Sequence, residues 1–295
     1  MEKHAYLILA HKCDYTLQSL ISMLDHPMND IFLHMDIKCK EYNENIMPKC
    51  VYSGFTLVDR TNVSWGGYSQ INAELVLLKA AVNKEKYLYY HLLSGEDLQI
   101  KTNEYIQNFF KENNGKEFIR FQSEDFKYWE RVRYYYFFQE KAGRNLNIWR
   151  LIDKFLVCFQ RMIRINRHRG IAFQKGTNWF SITDKLARYI ISREEWIKYT
   201  FAYTRACDEI FIQTLVNCND EFKRNLYHLQ YDNDSHAIMR KIDWERGNPY
   251  TFTVADYQEL MESEMLWARK FNCIIDHEII DLIKERLGGG VLPEN

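Results

Sequence analysis

The chain has 295 residues, 46% of them apolar and 27% charged, with a formal net charge of −1. That is long enough to bury a substantial core, too apolar for a disordered chain, and too evenly charged for an electrostatic grip on nucleic acid. Seven cysteines without a CxxC pair fit neither a zinc ribbon nor a disulfide framework, so reduced thiols in a cytoplasmic protein are expected.

The first apolar run, "AYLILA" (5–10), is too short for a signal h-region, and no run approaches the ~20 apolar residues of a membrane span. Any membrane association would be peripheral, through a surface patch or a partner. "HAYLILAH" reads as a first strand. "YTLQSLISMLDHP" has helical periodicity and stops at Pro27. "DIFLHMDIK" is a second strand ending on Asp36, and "SGFTLVD" (53–59) a third. "YSQINAELVLLKAAVN" is an amphipathic helix with positions 71, 75, 78 and 82 on one apolar face. "YLYYHLLSG" gives a fourth strand, stopped by Gly95, and "KEFIRFQ" a fifth. This order predicts an α/β layer with a mainly parallel sheet under helices. Ligands of such sheets bind beyond the carboxyl ends of the strands. The polar residues there are His11, Lys12, Asp36, Ser94, Glu96 and Asp97.

Residues 128–170 are aromatic and basic with helical stretches. Their densest part, "RMIRINRHR" (161–169), reads as a solvated face. "TNWFSITDKLARYII" predicts a strand and a helix capped by Thr183 or Asp184. "TRACDEIFIQTLVN" is a loop-to-helix junction headed by Asp208 and Glu209. "YTFTVADYQELMES" predicts a strand and then a helix with Asp256 near its start. "FNCIIDHEIIDLIKERLGGG" predicts a last helix closed by glycines. No repeat or linker divides the chain, and one domain over 1–295 is expected.

Few motifs carry chemistry alone. There is no phosphate-cradling glycine loop, GxSxG or HExxH. "YDNDS" offers Asp232 and Asp234 as oxygen ligands for Mg²⁺ or Mn²⁺, but its composition is also ordinary turn chemistry. The 20 Tyr, 18 Phe and 7 Trp could stack on sugars, though most such rings are core. Glu209 alone reads first as an acid favoured at a helix start.

Taken together and in order, "AYLILAHKCDYTLQSLISML…HP", "IFLHMDIK", "VSWGGYSQINAELVLLKAA", "YYHLLSGEDLQIKTNEYIQNFF", "GTNWFSIT", "CDEIFIQTLV" and "LWARKFN" resemble one family. It is the core-2/I-branching β-1,6-N-acetylglucosaminyltransferases, which also include the peptide O-xylosyltransferases. The resemblance implies a GT-A-like fold with a Rossmann-like sheet: about 1–120 would bind the nucleotide sugar, about 121–280 the acceptor. It implies inverting transfer, with β linkage, of a sugar from a UDP-sugar, GlcNAc before xylose, to a hydroxyl of a glycan or lipid-linked glycan. It implies no essential metal. Glu209 falls at the catalytic base. Lys270 falls at a lysine on the donor diphosphate, with Arg246, or Arg240 behind it, as a second cation. Asp36 matches an acid that reads the nucleoside, and Trp65 and Ser69 line the donor side. Glu124, Arg131, Arg133 and Trp244 fall on the acceptor side. The animal members' membrane anchor and disulfides are not evident here, which suggests a prokaryotic-type member. A metal-dependent transferase using Asp232 and Asp234, and an inactive glycan-binding relative, are the competing readings.

Overall fold

The computed structural model describes residues 2–144 and 146–288. A six-stranded sheet runs in the order β3-β2-β1-β4-β7-β6. Its strands are β1 (His4–Ala10), β2 (Asn29–Met35), β3 (Gly54–Leu57), β4 (Tyr89–Ser94), β6 (Phe118–Phe121) and β7 (Gly176–Thr183). The first four are parallel; β7 runs antiparallel to both β4 and β6. This is the expected α/β layer.

Both sheet faces are apolar, as a doubly covered sheet requires. Ala5 and Leu7 of β1 join one core with helices Tyr68–Lys84 and Asp184–Ser192. Tyr6 and Ile8 join the other, with helices Tyr15–Leu24, Asn103–Glu112 and Glu278–Arg286. Ile71, Leu75 and Leu78 are buried and Val82 half-buried, which is the predicted face of the long helix. Thr183, not Asp184, caps its helix, accepting from the Leu186 N–H.

A second sheet escapes the sequence reading. It has the order β5-β9-β8, from Asp97–Gln99, Trp267–Arg269 and Arg240–Ile242. Each strand has three residues, too few to display an alternating pattern. Two predicted elements form differently. Residues 250–253 make no strand; Thr253 and Asp256 build a capping box for the turn that follows. The last helix starts at Glu278, because the Asn272 and Asp276 side chains take the N–H groups of Ile274, Val254 and Ile279. Of the closing glycines, Gly288 has a positive φ of 75°, and Gly289 and Gly290 lie outside the described residues. Among the described residues no helix is long and apolar enough to cross a membrane.

Gly176 sets how closely β7 meets β6, since a Cβ there would collide with the Arg120 carbonyl oxygen, a backbone atom. Gly176→Ala is expected to destabilise the chain by about 1–3 kcal/mol. A melting temperature unchanged from wild type would refute the close approach.

Candidate active site

The chain order reverses beside β1: β2 and β3 lie on one side of it and β4 on the other. A crevice forms at such a switch point, at the strands' carboxyl ends. Lys12, just after β1, and Glu96, just after β4, meet there at 3.0 Å, with His11 4.0 Å from the same carboxylate oxygen.

Behind them lies a buried charge cluster centred on Asp97, which is fully buried. Its Oδ1 accepts from Arg269 Nη1 at 2.9 Å, and its Oδ2 accepts the Ser94 N–H at 2.9 Å and lies 3.1 Å from Arg240 Nη1. Arg240 also donates to the Leu92 carbonyl at 2.8 Å. The guanidinium carbons of Arg240 and Arg269 lie 4.7 and 4.8 Å from the Trp179 ring centroid, a cation–π arrangement. Burial lowers the Arg240 pKa to about 10. Arg269 also binds Ser94 Oγ and lies 3.5 Å from Glu96 Oε2. Arg120, on β6, is 6% exposed; it couples electrostatically to Arg240, Glu209 and Asp234. Positive charge thus runs from the end of β4 toward Glu209.

Glu209 ends a single 3₁₀ turn, Cys207–Glu209, directly before helix Phe211–Asn217. Its side chain is 37% exposed, and its Oε2 takes Arg131 Nη1 at 2.9 Å and Lys175 Nζ at 3.2 Å. The turn is fixed from outside: Ala206, with φ 47°, donates its N–H to the Gly66 carbonyl at 2.8 Å. Asp208 has the opposite environment. It is buried, Gln70 Nε2 donates to its Oδ2 at 3.1 Å, and its Oδ1 has no hydrogen-bond partner among the described residues. Burial, and then the neighbouring Glu209 charge, push the Asp208 carboxyl up to about 7. Glu74, one helical turn beyond Gln70, is fully buried with both oxygens unpartnered, and burial raises its pKa well above the usual range. A carboxylate is thus accessible and cation-paired at 209, while its two neighbours are buried acids.

The other predicted residues divide into groups. Arg131 meets Glu209, as above. Trp65 is 47% exposed in the loop that reaches the Glu209 turn through Gly66, and Gln139 Nε2 donates to its carbonyl at 3.1 Å. Ser69 accepts the Ser64 N–H and donates to Glu140 Oε2 at 2.7 Å. Asp36 is buried at the end of β2, where it accepts the Lys38 N–H at 2.9 Å and pairs with Lys38 Nζ at 3.2 Å. Lys270 directly follows β9; its backbone bonds Tyr250 and Phe252, and its ammonium forms no ion pair among the described residues. Arg246 is engaged elsewhere, by Asp243, by Asp256 at 2.6 Å and by Glu259 at 3.8 Å. Arg240 faces Asp97 as described. Glu124 and Arg133 are exposed, Arg133 over the Trp129 ring at 4.8 Å, and Trp244 is 53% exposed. Asp232 and Asp234 hydrogen-bond His228 and His236 at 2.9 and 2.7 Å. Ligand atoms of His228, Asp232 and Asp234 lie within 4.8 Å of one another, so this loop could hold a divalent ion.

Lys175, Arg120 and Arg269 were not singled out from sequence. Arg269 had a signal, standing beside Lys270 in "WARKF", and Arg120 interrupts the apolar "FIRF" of a predicted strand. Lys175 had none.

Glu74 and Asp208 both ionise less readily in the folded chain than in the unfolded one. The native state keeps protons that the unfolded state releases. Their contribution to stability is therefore largest below about pH 4 and is lost as pH rises through the folded-state values, about 7 for Asp208. Glu74→Gln is expected to raise the melting temperature at pH 8 by a few degrees, at about 2–4 °C per kcal/mol, and to change it less at pH 5. Equal shifts at the two pH values would show that Glu74 is not held protonated.

The Core-2/I-Branching enzyme family matches residues 4–268. Xylosyltransferase 2 of Rattus norvegicus is 22% identical over 98% of this chain and 34% of its own length. Xylosyltransferase 1 of Canis lupus familiaris is 22% identical over 97% of this chain and 30% of its own. The chain therefore spans about a third of these relatives. The apo crystal structure of mouse Xyloside xylosyltransferase 1 aligns with 92% of this chain and 98% of its own, at 10% identity and a TM-score of 0.37. The family match spans most of the described chain, including the turn that carries Glu209 and the buried Arg120 and Arg240, and on that ground the protein belongs to the Core-2/I-Branching enzyme family.

Proposed function

We propose that the chain is an inverting, metal-independent glycosyltransferase that moves a sugar, GlcNAc in the first instance, from a UDP-sugar to a hydroxyl of a glycan acceptor with β linkage. The observation that carries this reading is the pairing of one accessible carboxylate, Glu209, with a row of guanidinium groups leading to the sheet's switch point. On this reading, residues up to about 120 hold the donor, and the acceptor enters past Arg131.

Inversion is one in-line displacement at the anomeric carbon. The acceptor hydroxyl attacks opposite the leaving group while a carboxylate takes its proton, as an inverting glycosidase does with water. Glu209 fills that role, since Asp208 and Glu74 are buried. Arg131 and Lys175 hold its carboxylate in place through Oε2. As the glycosidic bond breaks, negative charge grows on the leaving UDP. Fixed cations in a site that excludes water stabilise such charge without reorganising, each by ~3–4 kcal/mol in comparable oxyanion sites. Lys270, with no ion pair among the described residues, and Arg269 beside it are the groups proposed for this; Arg120 bridges them toward Glu209.

Two alternatives have their own support. The relatives' names favour UDP-xylose as the second donor to try. The His228, Asp232 and Asp234 group favours a metal-assisted reaction. A screen of UDP-sugars by thermal shift identifies the donor, since a ligand of the folded state raises its stability. With that donor, Glu209→Gln is expected to lower kcat by about 10²–10⁴, and Lys270→Ala by about 10² or more. Activity is expected to persist in excess EDTA. Loss to chelator with recovery on Mn²⁺ would establish the metal-assisted route, and undiminished turnover by Glu209→Gln would remove Glu209 as the base.

A further inference from the structure

Helix Ile148–Met162 is inverted relative to an ordinary surface helix. Two of its polar side chains point into the protein. Asp153 is buried and accepts the Phe138 N–H at 3.1 Å; Gln160 is buried and bonds the Tyr135 N–H at 2.8 Å and the Tyr135 carbonyl at 2.9 Å. Five of its large apolar side chains point outward: Ile148 is 63% exposed, Leu151 50%, Phe155 72%, Phe159 48% and Met162 71%. At 3.6 residues per turn, these five fall within a stripe roughly 80° wide. A lone exposed leucine would mean nothing, but a contiguous stripe of this kind marks a surface that something covers.

The surrounding charge says what covers it. Residues 141–170 hold eight Lys and Arg against a single acid, Asp153, which is turned inward. The chain as a whole carries −1, so the remainder is acidic and the basic charge is concentrated here. Arg144, Lys154, Arg164 and Arg169 are exposed beside the stripe. A second copy would bring the same positive charge against itself. A polyanion alone would leave the hydrocarbon uncovered. With 15 residues, or about 22 Å, the helix is too short to span a bilayer core of ~30 Å. An apolar stripe flanked by cations is the pattern of a helix lying in the plane of a lipid surface.

We infer that helix Ile148–Met162 docks the protein on an anionic membrane surface, its apolar stripe at the headgroup–acyl boundary and its basic flank on lipid phosphates. The inference does not depend on the proposed transfer reaction.

The test is co-sedimentation of the full chain with vesicles of pure phosphatidylcholine, or with about 30% phosphatidylglycerol added, at low salt. Each cation near an anionic surface contributes ~1 kcal/mol, so binding to the anionic vesicles should exceed binding to neutral ones at least about tenfold. Phe155→Glu with Phe159→Glu should abolish binding while the circular dichroism spectrum stays unchanged, both residues being exposed. Arg164→Glu with Arg169→Glu, which leaves the stripe intact, should remove most of the preference for anionic lipid and covers the case in which the phenylalanine pair misfolds. No binding to either vesicle, equal binding to both, or a dimer in light scattering that the phenylalanine changes dissolve would each overturn the proposal.

Discussion

Asp97 is the group on which the architecture turns. It is fully buried, and it stands between the guanidiniums of Arg240 and Arg269 at 3.1 and 2.9 Å while also accepting a backbone N–H at the end of β4. A buried carboxylate is expensive to desolvate, and so is a buried guanidinium; together, with hydrogen bonds closing the set, they are tolerable. The cluster thereby ties the small sheet to the large one, since Arg240 and Asp97 begin β8 and β5, Arg269 ends β9, and Ser94 ends β4. Loss of one member would strand the others' charge in the interior. The same tie fixes the backbone just before Lys270, whose ammonium forms no ion pair among the described residues.

The opposite wall works by the contrary device. Asp208 and Glu209 are adjacent in sequence but differ in surroundings, and surroundings decide what a carboxyl does. Asp208 faces Gln70 in the interior, near the buried Glu74. Glu209 is turned to the open side and carries two cations on one oxygen. Burying two of the three acids limits the negative charge beside the third, so an ionised carboxylate and a row of cations can share a small space. Arg120 sits between the two walls, coupled to Glu209 on one side and Arg240 on the other.

How much of this was legible depended on sequence distance. The parallel strands announce themselves because apolar runs end on polar residues, and those residues, Lys12, Asp36, Ser94, Glu96 and Asp97, do stand at the strand ends. The pair of acids before an apolar helix drew attention to Glu209. Its partner Arg131 lies 78 residues away, and Asp97 lies 172 residues from Arg269. No local pattern encodes contacts of that span, and the three-residue strands that make them have no periodicity to read. Arg246 shows the converse: the resemblance points to it as a second cation, and three nearby carboxylates hold it. Residues 161–169 were read as a solvated face, which their charge suggested; the apolar side chains just before them become informative only when the fold shows which way they point.

The inverted helix and the candidate site are not independent parts of the molecule. The segment that bonds the underside of the helix runs from Glu130 to Phe138. Glu130 pairs with Arg161, Tyr135 with Gln160, and Phe138 with Asp153. Arg131, inside that segment, is the residue that grips Glu209. Contacts on both sides of Arg131, an exposed ion pair before it and hydrogen bonds to buried side chains after it, link it to the helix. The helix and the proposed base are thus joined through the same short segment. The inward placement of Asp153 and Gln160 serves two ends: it leaves the hydrocarbon outside, and it fastens the helix to the segment that carries Arg131.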